Sequence, residues 1–339
     1  MTLNHYPDLY SVRAERERSG IRLPCPFRAR QEVDAVSVLL GLHNGAKHVE
    51  AQLESLGRQT HRKWSLIVSD DGSGDDGREL VRRFARTMPG RDIRVVDGPC
   101  RGFVANFMHL ARIAGPDVPF AAFSDQDDVW MPEKIEAAIT KLRRLDPDVP
   151  ALYCSRTLYV DELLDPIGPS PNFLRPPSFS NALVQSIAGG NTMVLNRAAL
   201  TLYQQSVAWI GPVPSHDWWA YLLISGAGGH VIYDPVPRIL YRQHGRNLVG
   251  GNAGWPARRE RLRRLREGQF RTWSDQNIAA LLAVAGLLSA ENRRRLHQFA
   301  KLRTLNTPAR LADLARAGLY RQTSLGTCAL WFAALTGKI

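Results

Sequence analysis

The sequence predicts a three-layer α/β/α sandwich with a mainly parallel central sheet, followed by a C-terminal helical extension. Three observations carry that expectation. Between Val36 and Leu145, apolar strand-like runs alternate about four times with amphipathic helical patterns, as βαβ units do. Two of the strands end in aspartate clusters, which such folds bring to one edge of the sheet. Near Trp255 the composition shifts to an arginine-rich, helix-like segment that runs to the end.

Taken in order, residues 1–32 are polar, arginine-rich and interrupted by proline. They read as a leader without chemistry and lack the apolar core of a signal peptide. Residues 33–254 are expected to form the main α/β domain and 255–339 the basic extension. Val36-Ser37-Val38-Leu39-Leu40 is a dense apolar run suited to a central parallel strand. Val49, Leu53 and Leu56 mark a helix, and Trp64 to Val68 a second strand. Leu80, Val81, Phe84 and Met88 mark the next helix, and Ile93 to Val96 a third strand. Phe103, Phe107, Leu110 and Ala114 space a short helix before the apolar run Val118 to Phe123. Ile135, Ala138, Ile139, Leu142 and Leu145 then give another amphipathic helix.

Beyond Pro150 the pattern is less regular. Ala151 to Val160 reads as a strand, Pro166 to Pro177 as a proline-rich loop, and Gln185 to Leu195 as a glycine-containing strand region. Ser215-His216-Asp217 opens a helix carrying Trp218 and Trp219. His230 to Tyr233 and Ile239 to Tyr241 read as two short strands, followed by a polar loop from Arg242 to Asn247.

The composition is that of a globular protein, with 44% hydrophobic and 22% charged residues. No apolar run approaches the roughly 20 residues that span a bilayer. The four cysteines show no metal or redox spacing, which suits reduced thiols in a cytosolic protein. Net charge is +12, and from Pro256 onward there are 16 Lys+Arg against 5 Asp+Glu. The excess charge therefore lies almost wholly in the extension.

The chemistry-bearing stretch is Phe123-Ser124-Asp125-Gln126-Asp127-Asp128-Val129-Trp130, a buried strand ending in three carboxylates. Like charges crowded this closely call for a cation, and Mg2+ or Mn2+ with oxygen ligands would serve and would bring substrate phosphates. An acidic turn capping the helix that starts near Pro132 and Glu133 is the other reading of these residues alone. Ser69-Asp70-Asp71-Gly72-Ser73 ends the second strand and is equally compatible with a plain turn.

The order of these motifs, with His216-Asp217-Trp218-Trp219 and Tyr241-Arg242-Gln243-His244 after them, resembles the family 2 inverting glycosyltransferases of GT-A fold. Within them it is most similar to bacterial rhamnosyltransferases of cell-wall or O-antigen polysaccharide synthesis. The likeness runs from about Val36 to Val249. It implies that Asp71 holds the nucleobase, with Asp70 shaping the turn, and that Asp125 and Asp127 match the DXD motif for metal and donor ribose. Asp128 would assist the metal or cap the helix. Asp217 takes the position of the catalytic base, with His216 as its tuning or orienting neighbour. Arg242 would pair with phosphate, and His244 would contact metal or diphosphate or simply be solvated. Gly189, Gly190, Asn191 and Trp218 would line the acceptor side.

One departure stands at the end of the first strand, where the family offers a hydroxyl and a Tyr-Asn pair. Here Gly41, Leu42, His43 and Asn44 stand instead, so His43 would stack on the base with Asn44 beside it. The resemblance thus implies transfer from a nucleotide sugar, with rhamnose from dTDP-rhamnose as the donor, to a saccharide or lipid-linked saccharide. A nucleotidyltransferase of similar architecture would show a glycine-rich loop with Arg or Lys after the first strand, which Gly41 to Lys47 does not form. A nucleic-acid-binding module would interleave aromatics with its arginines, and the run at positions 258–266 does not. Stripes at Leu281, Leu282, Val284, Leu287, Leu288 and from Leu325 to Leu335 suit either an anionic membrane surface at the inner leaflet or packing on the core or a second subunit.

Overall fold

The structure, a computed structural model, describes residues 34–115, 117–243 and 269–339. The expected leader, His244 and the arginine run at 258–266 lie outside the described residues. Strand β1 (Val36–Leu42) is buried along nearly its whole length because both its faces are apolar. It pairs in parallel with β2 (Trp64–Asp70) on one side and β4 (Phe120–Ser124) on the other, and β3 (Ile93–Asp97) adds to β2, also in parallel. On the far side of β4, the short β8 (Val194–Asn196) runs antiparallel and leads to β6 (Ala151–Val160). β9 (His230–Arg242) lies parallel to β6, β5 (Val129–Trp130) pairs antiparallel with β9, and β7 (Pro166–Pro169) hangs from β6. Among the described residues the sheet order is β3-β2-β1-β4-β8-β6-β9-β5.

Helices cover both faces, which explains why the central strands carry no polar alternation. α1 (Val49–Gly57), α2 (Gly77–Thr87) and α4 (Lys134–Leu142) supply Val49, Leu53, Leu56, Val81, Ile135 and Ile139 to the core on one face. On the other face α3 (Phe103–Ile113), the short α5 (Phe179–Ala182), α6 (Arg197–Val207) and α7 (His216–Gly226) enclose Phe107, Leu110, Phe179, Tyr203, Trp219 and Leu222. This is the expected three-layer arrangement.

The register positions the chemistry. Leu42 lies beside Asp70, and Leu40 beside Ser124. The residues that follow each strand, His43, Asp71 and Asp125, therefore emerge at one edge. Chain order reverses between β1 and β4, and ligands of open α/β sheets bind in the crevice at that switch.

Several local expectations change. The two short strands at 230–233 and 239–241 are one strand, β9. Pro235 and Pro237 hid its continuity, and the β6–β9 register shifts around Arg156 to accommodate them. The stretch 185–195 is mostly loop, with a 3-10 turn at Gly190–Thr192 before β8. The C-terminal helices α8 (Gln269–Ala283), α9 (Ala290–Leu302), α10 (Thr307–Ala317) and α11 (Ser324–Leu335) follow. Leu281, Val284, Leu288, Leu296 and Phe299 are buried in the same apolar cluster as Phe179, Tyr221 and Leu222. Of the two uses open to the first stripe, it takes packing on the core, and only Leu282 stays outside.

Candidate active site

The strand-end edge is tied together by side chains from three loops. Asp70 is buried and accepts from the Ser73 backbone N–H and Oγ, while Arg78 bridges it to Asp97 at the end of β3. Asp71 accepts from the Gly102 N–H at 2.8 Å through Oδ2, whereas its buried Oδ1 has no partner. An orphaned carboxylate oxygen in a closed turn is suited to a ligand N–H. His43 is exposed, and its Nδ1 lies 3.1 Å from the Asp71 carbonyl. Asn44 sits at a positive φ of 48°. Its backbone N–H donates to Ser73 Oγ, and its Oδ1 accepts from the Gly74 N–H.

The three carboxylates Asp125, Asp127 and Asp128 each offer an oxygen within 4.8 Å of the others. Burial first, then the charges of Asp127 and Asp217, push the Asp125 carboxyl up to about 8. Asp128 is raised well above the usual range by burial and by the charges of Asp127 and Asp125, offset in part by a 2.5 Å hydrogen bond from Asn191. Asp128 Oδ1 is buried without a partner. Clustered, poorly solvated carboxylates with an unsatisfied oxygen fit a hard divalent cation such as Mg2+ or Mn2+. Lys134 is buried alongside, its Nζ 3.3 Å from the centre of the Trp130 ring, and burial lowers its pKa strongly.

Asp217 stands in the first turn of α7, half-buried. Its Oδ2 accepts from the Gly190 N–H at 3.0 Å, and its Oδ1 accepts from Ser215 Oγ and from the Trp218 N–H. These donors hold the carboxylate in one orientation. Gly190, which donates to Asp217, and Asn191, which donates to Asp128, are neighbours in one 3-10 turn, so this turn links Asp217 to the acidic loop. His216 is stacked on Phe107 at 3.9 Å and meets Phe123 edge-on at 5.1 Å. Neither ring nitrogen has a partner, and burial pushes its pKa down to about 4, so the ring is neutral near pH 7.

The family described as glycosyl transferase family 2 matches residues 37–182, the stretch that holds β1, β2, β4 and the acidic loop. The chain's similarity to the dTDP-rhamnosyl transferase RfbG of Shigella flexneri is 26% identity over 244 residues, 68% of this chain and 81% of that protein. A UDP-Glc:alpha-D-GlcNAc-diphosphoundecaprenol beta-1,3-glucosyltransferase of Escherichia coli, WfgD, is 28% identical over 107 residues, 32% of this chain and 40% of that one. Among solved structures, a mannosyltransferase from Pyrobaculum calidifontis in complex with GDP-Man and Mn2+ superposes with a TM-score of 0.55 at 19% identity, covering 97% of this chain and 92% of the other. S. aureus TarS 1-349 in complex with UDP-GlcNAc gives 0.54 at 12% identity, covering 90% and 88%. The fold is GT-A, and the protein is a glycosyltransferase.

Four site expectations are redrawn by the geometry of this glycosyltransferase. Trp218 is buried, its Nε1 donating to the Ala182 carbonyl and its ring packing on Trp273, so the indole faces the core and not an acceptor. Asn191 is 3% exposed and spends its amide on Asp128. Arg242 is also buried, and donates to the carbonyls of Asp127 and Glu162, so it braces the acidic loop from behind. His216 makes no hydrogen bond to Asp217, so it does not orient the carboxylate directly. Its Nε2 lies against Gly190, where an added Cβ would fall 2.2 Å away, and the Gly190 N–H is the donor to Asp217 Oδ2. A side chain at position 190 would collide with that ring, and one at Gly189 would meet the Asn191 amide.

Sequence reasoning missed Gln126. Its amide accepts from the His43 N–H at 2.8 Å and donates to the His43 carbonyl at 3.0 Å. It clamps the end of β1 to the acidic loop. No local pattern announces this, because the two partners are 83 residues apart.

Proposed function

We propose that this glycosyltransferase transfers L-rhamnose from dTDP-rhamnose, with inversion, to a saccharide or lipid-linked saccharide acceptor in cell-surface polysaccharide synthesis. The observation that carries the reading is the convergence of Asp71 and the Asp125–Asp127–Asp128 cluster on one sheet edge, with Asp217 linked to the cluster through the Gly190–Asn191 turn. Asp71 binds the nucleobase through its unpartnered oxygen, with His43 against the ring. Asp125, Asp127 and Asp128 would hold Mg2+ or Mn2+, which neutralises the leaving diphosphate when bound. Asp217, held by Gly190, Ser215 and Trp218, takes the proton of the acceptor hydroxyl as that oxygen attacks the anomeric carbon. One base and no enzyme nucleophile give a single displacement, hence inversion. His216, neutral and buried, is the wall that keeps Gly190 and so Asp217 in place.

The donor reading is supported by the Shigella relative. The acceptor reading is supported by the diphosphoundecaprenol-linked sugar in the name of the E. coli relative. No helix among the described residues is long and apolar enough to cross a membrane. The reading sets the reaction in the cytoplasm, at the inner face of the plasma membrane. A donor screen tests it: dTDP-rhamnose, UDP-hexoses and GDP-sugars are titrated with Mn2+ or Mg2+ present, and the anomeric configuration of the product is read by NMR. Selective binding of dTDP-rhamnose and an inverted product are expected. Preference for a UDP- or GDP-sugar would overturn the donor, and a retained configuration would overturn the single-base mechanism.

A further inference from the structure

We propose that α11 docks this protein on an anionic lipid surface through an apolar stripe of Leu325, Trp331, Phe332 and Leu335. Helix α11 carries no charged residue over its length, Ser324–Leu335. Its inner side is used, since Leu330, Ala333 and Ala334 are buried against the core. The opposite side is apolar as well. Leu325 is 74% exposed, Trp331 38%, Phe332 57% and Leu335 52%. At 3.6 residues per turn these four fall within about a third of the helix circumference. A contiguous apolar stripe on the surface of a folded protein marks a contact with something else.

Charge decides what that partner is. Residues 269–339 hold ten Lys+Arg and three Asp+Glu. Each of the three acids is already paired within this segment, as Asp275–Arg303, Glu291–Arg295 and Asp313–Arg316. From Leu314 to Ile339 there is no acidic residue, while Arg321 and Lys338 flank the stripe in sequence. A second copy of the chain would bring the same surplus of positive charge to the contact and repel it. An anionic bilayer answers both features, taking the apolar residues between its headgroups and the basic ones at its surface. Tryptophan beside phenylalanine suits that interfacial depth. At 12 residues the helix is about 18 Å long, well short of the roughly 30 Å hydrocarbon core, so it lies on the membrane. The inference uses only the C-terminal helices and stands apart from the donor and acceptor reading.

The test is sedimentation of the full chain with phosphatidylcholine vesicles, with and without phosphatidylglycerol. Binding to the phosphatidylglycerol vesicles is expected, falling as salt is raised because exposed charge is screened. A Trp331→Ser/Phe332→Ser variant should lose about tenfold or more in vesicle affinity, with nucleotide binding unchanged as evidence of an intact fold. Should that variant fail to fold, quenching by brominated lipid in the wild type replaces it, and Trp331→Phe should remove part of the quenching. Three results would overturn the proposal: no sedimentation at low salt, equal binding to neutral vesicles, or concentration-dependent dimers that the double substitution abolishes.

Discussion

Replacing Gly190 by alanine isolates the contact that orients the proposed base. The new Cβ would lie 2.2 Å from His216 Nε2 and 2.8 Å from Cε1, closer than real Cβ contacts come. His216 has nowhere to go, being stacked on Phe107 and walled by Phe123 and Phe103. The 3-10 turn must therefore shift by nearly an ångström, taking the Gly190 N–H away from Asp217 Oδ2. Overpacking of this kind costs about 1–3 kcal/mol in stability, or a few degrees in Tm on the order expected for a large domain. A displacement near 1 Å at a reacting group costs about 10²-fold in rate. Thermal denaturation, nucleotide-sugar titration and steady-state transfer would be measured together. The expected pattern is a lower Tm and kcat with donor affinity unchanged. Adding His216→Ala removes the obstacle, so the double variant should exceed Gly190→Ala in turnover, with a coupling of about 1 kcal/mol or more. Strict additivity of the two changes, or wild-type turnover in Gly190→Ala alone, would refute the reasoning.

Three further outcomes follow from the same geometry. Asp127→Asn should abolish metal-dependent transfer and Mn2+ binding by calorimetry with the fold intact, and full activity in excess chelator would contradict the metal role. His216→Phe should flatten the acid side of the stability profile. The ring's pKa falls from 6.5 unfolded to about 4 folded, so below pH 6.5 the unfolded chain takes a proton the folded one refuses. Stability present above pH 6.5 is thus lost toward pH 4, by about 3 kcal/mol, and denaturant melts of the two proteins should diverge across that window. Gln126→Ala strips both backbone partners from His43 and should raise the donor KM about five- to thirtyfold while kcat changes little; a fall in kcat at constant KM would assign Gln126 elsewhere.

The parallel half of the fold was legible because β1, β2 and β4 are apolar on both faces and end in polar turns, a pattern local to each segment. The acidic loop, Asp71 and Asp217 were legible for the same reason: each sits at the end or start of a periodic element. What escaped depends on distant partners. Trp218 looked like an acceptor platform beside Asp217, yet in a helix adjacent residues point about 100° apart, and its side chain turns to Ala182 and Trp273. Arg242 and Asn191 carry groups suited to a ligand, and only the tertiary fold shows them spent on Asp127 and Asp128. The two strands inferred at 230–241 merged because β6 tolerates a register shift at the prolines.

The central claim is that Asp217 is the base of a single displacement, and the transfer rate of Asp217→Asn at saturating donor and metal tests it most directly. The substitution keeps the side chain's size, and Ser215 and the Trp218 N–H can still donate to its oxygen, so the helix start should survive. The account predicts donor and metal binding near those of the wild type, with transfer lower by about 10²- to 10⁴-fold. Wild-type turnover in that variant would contradict it.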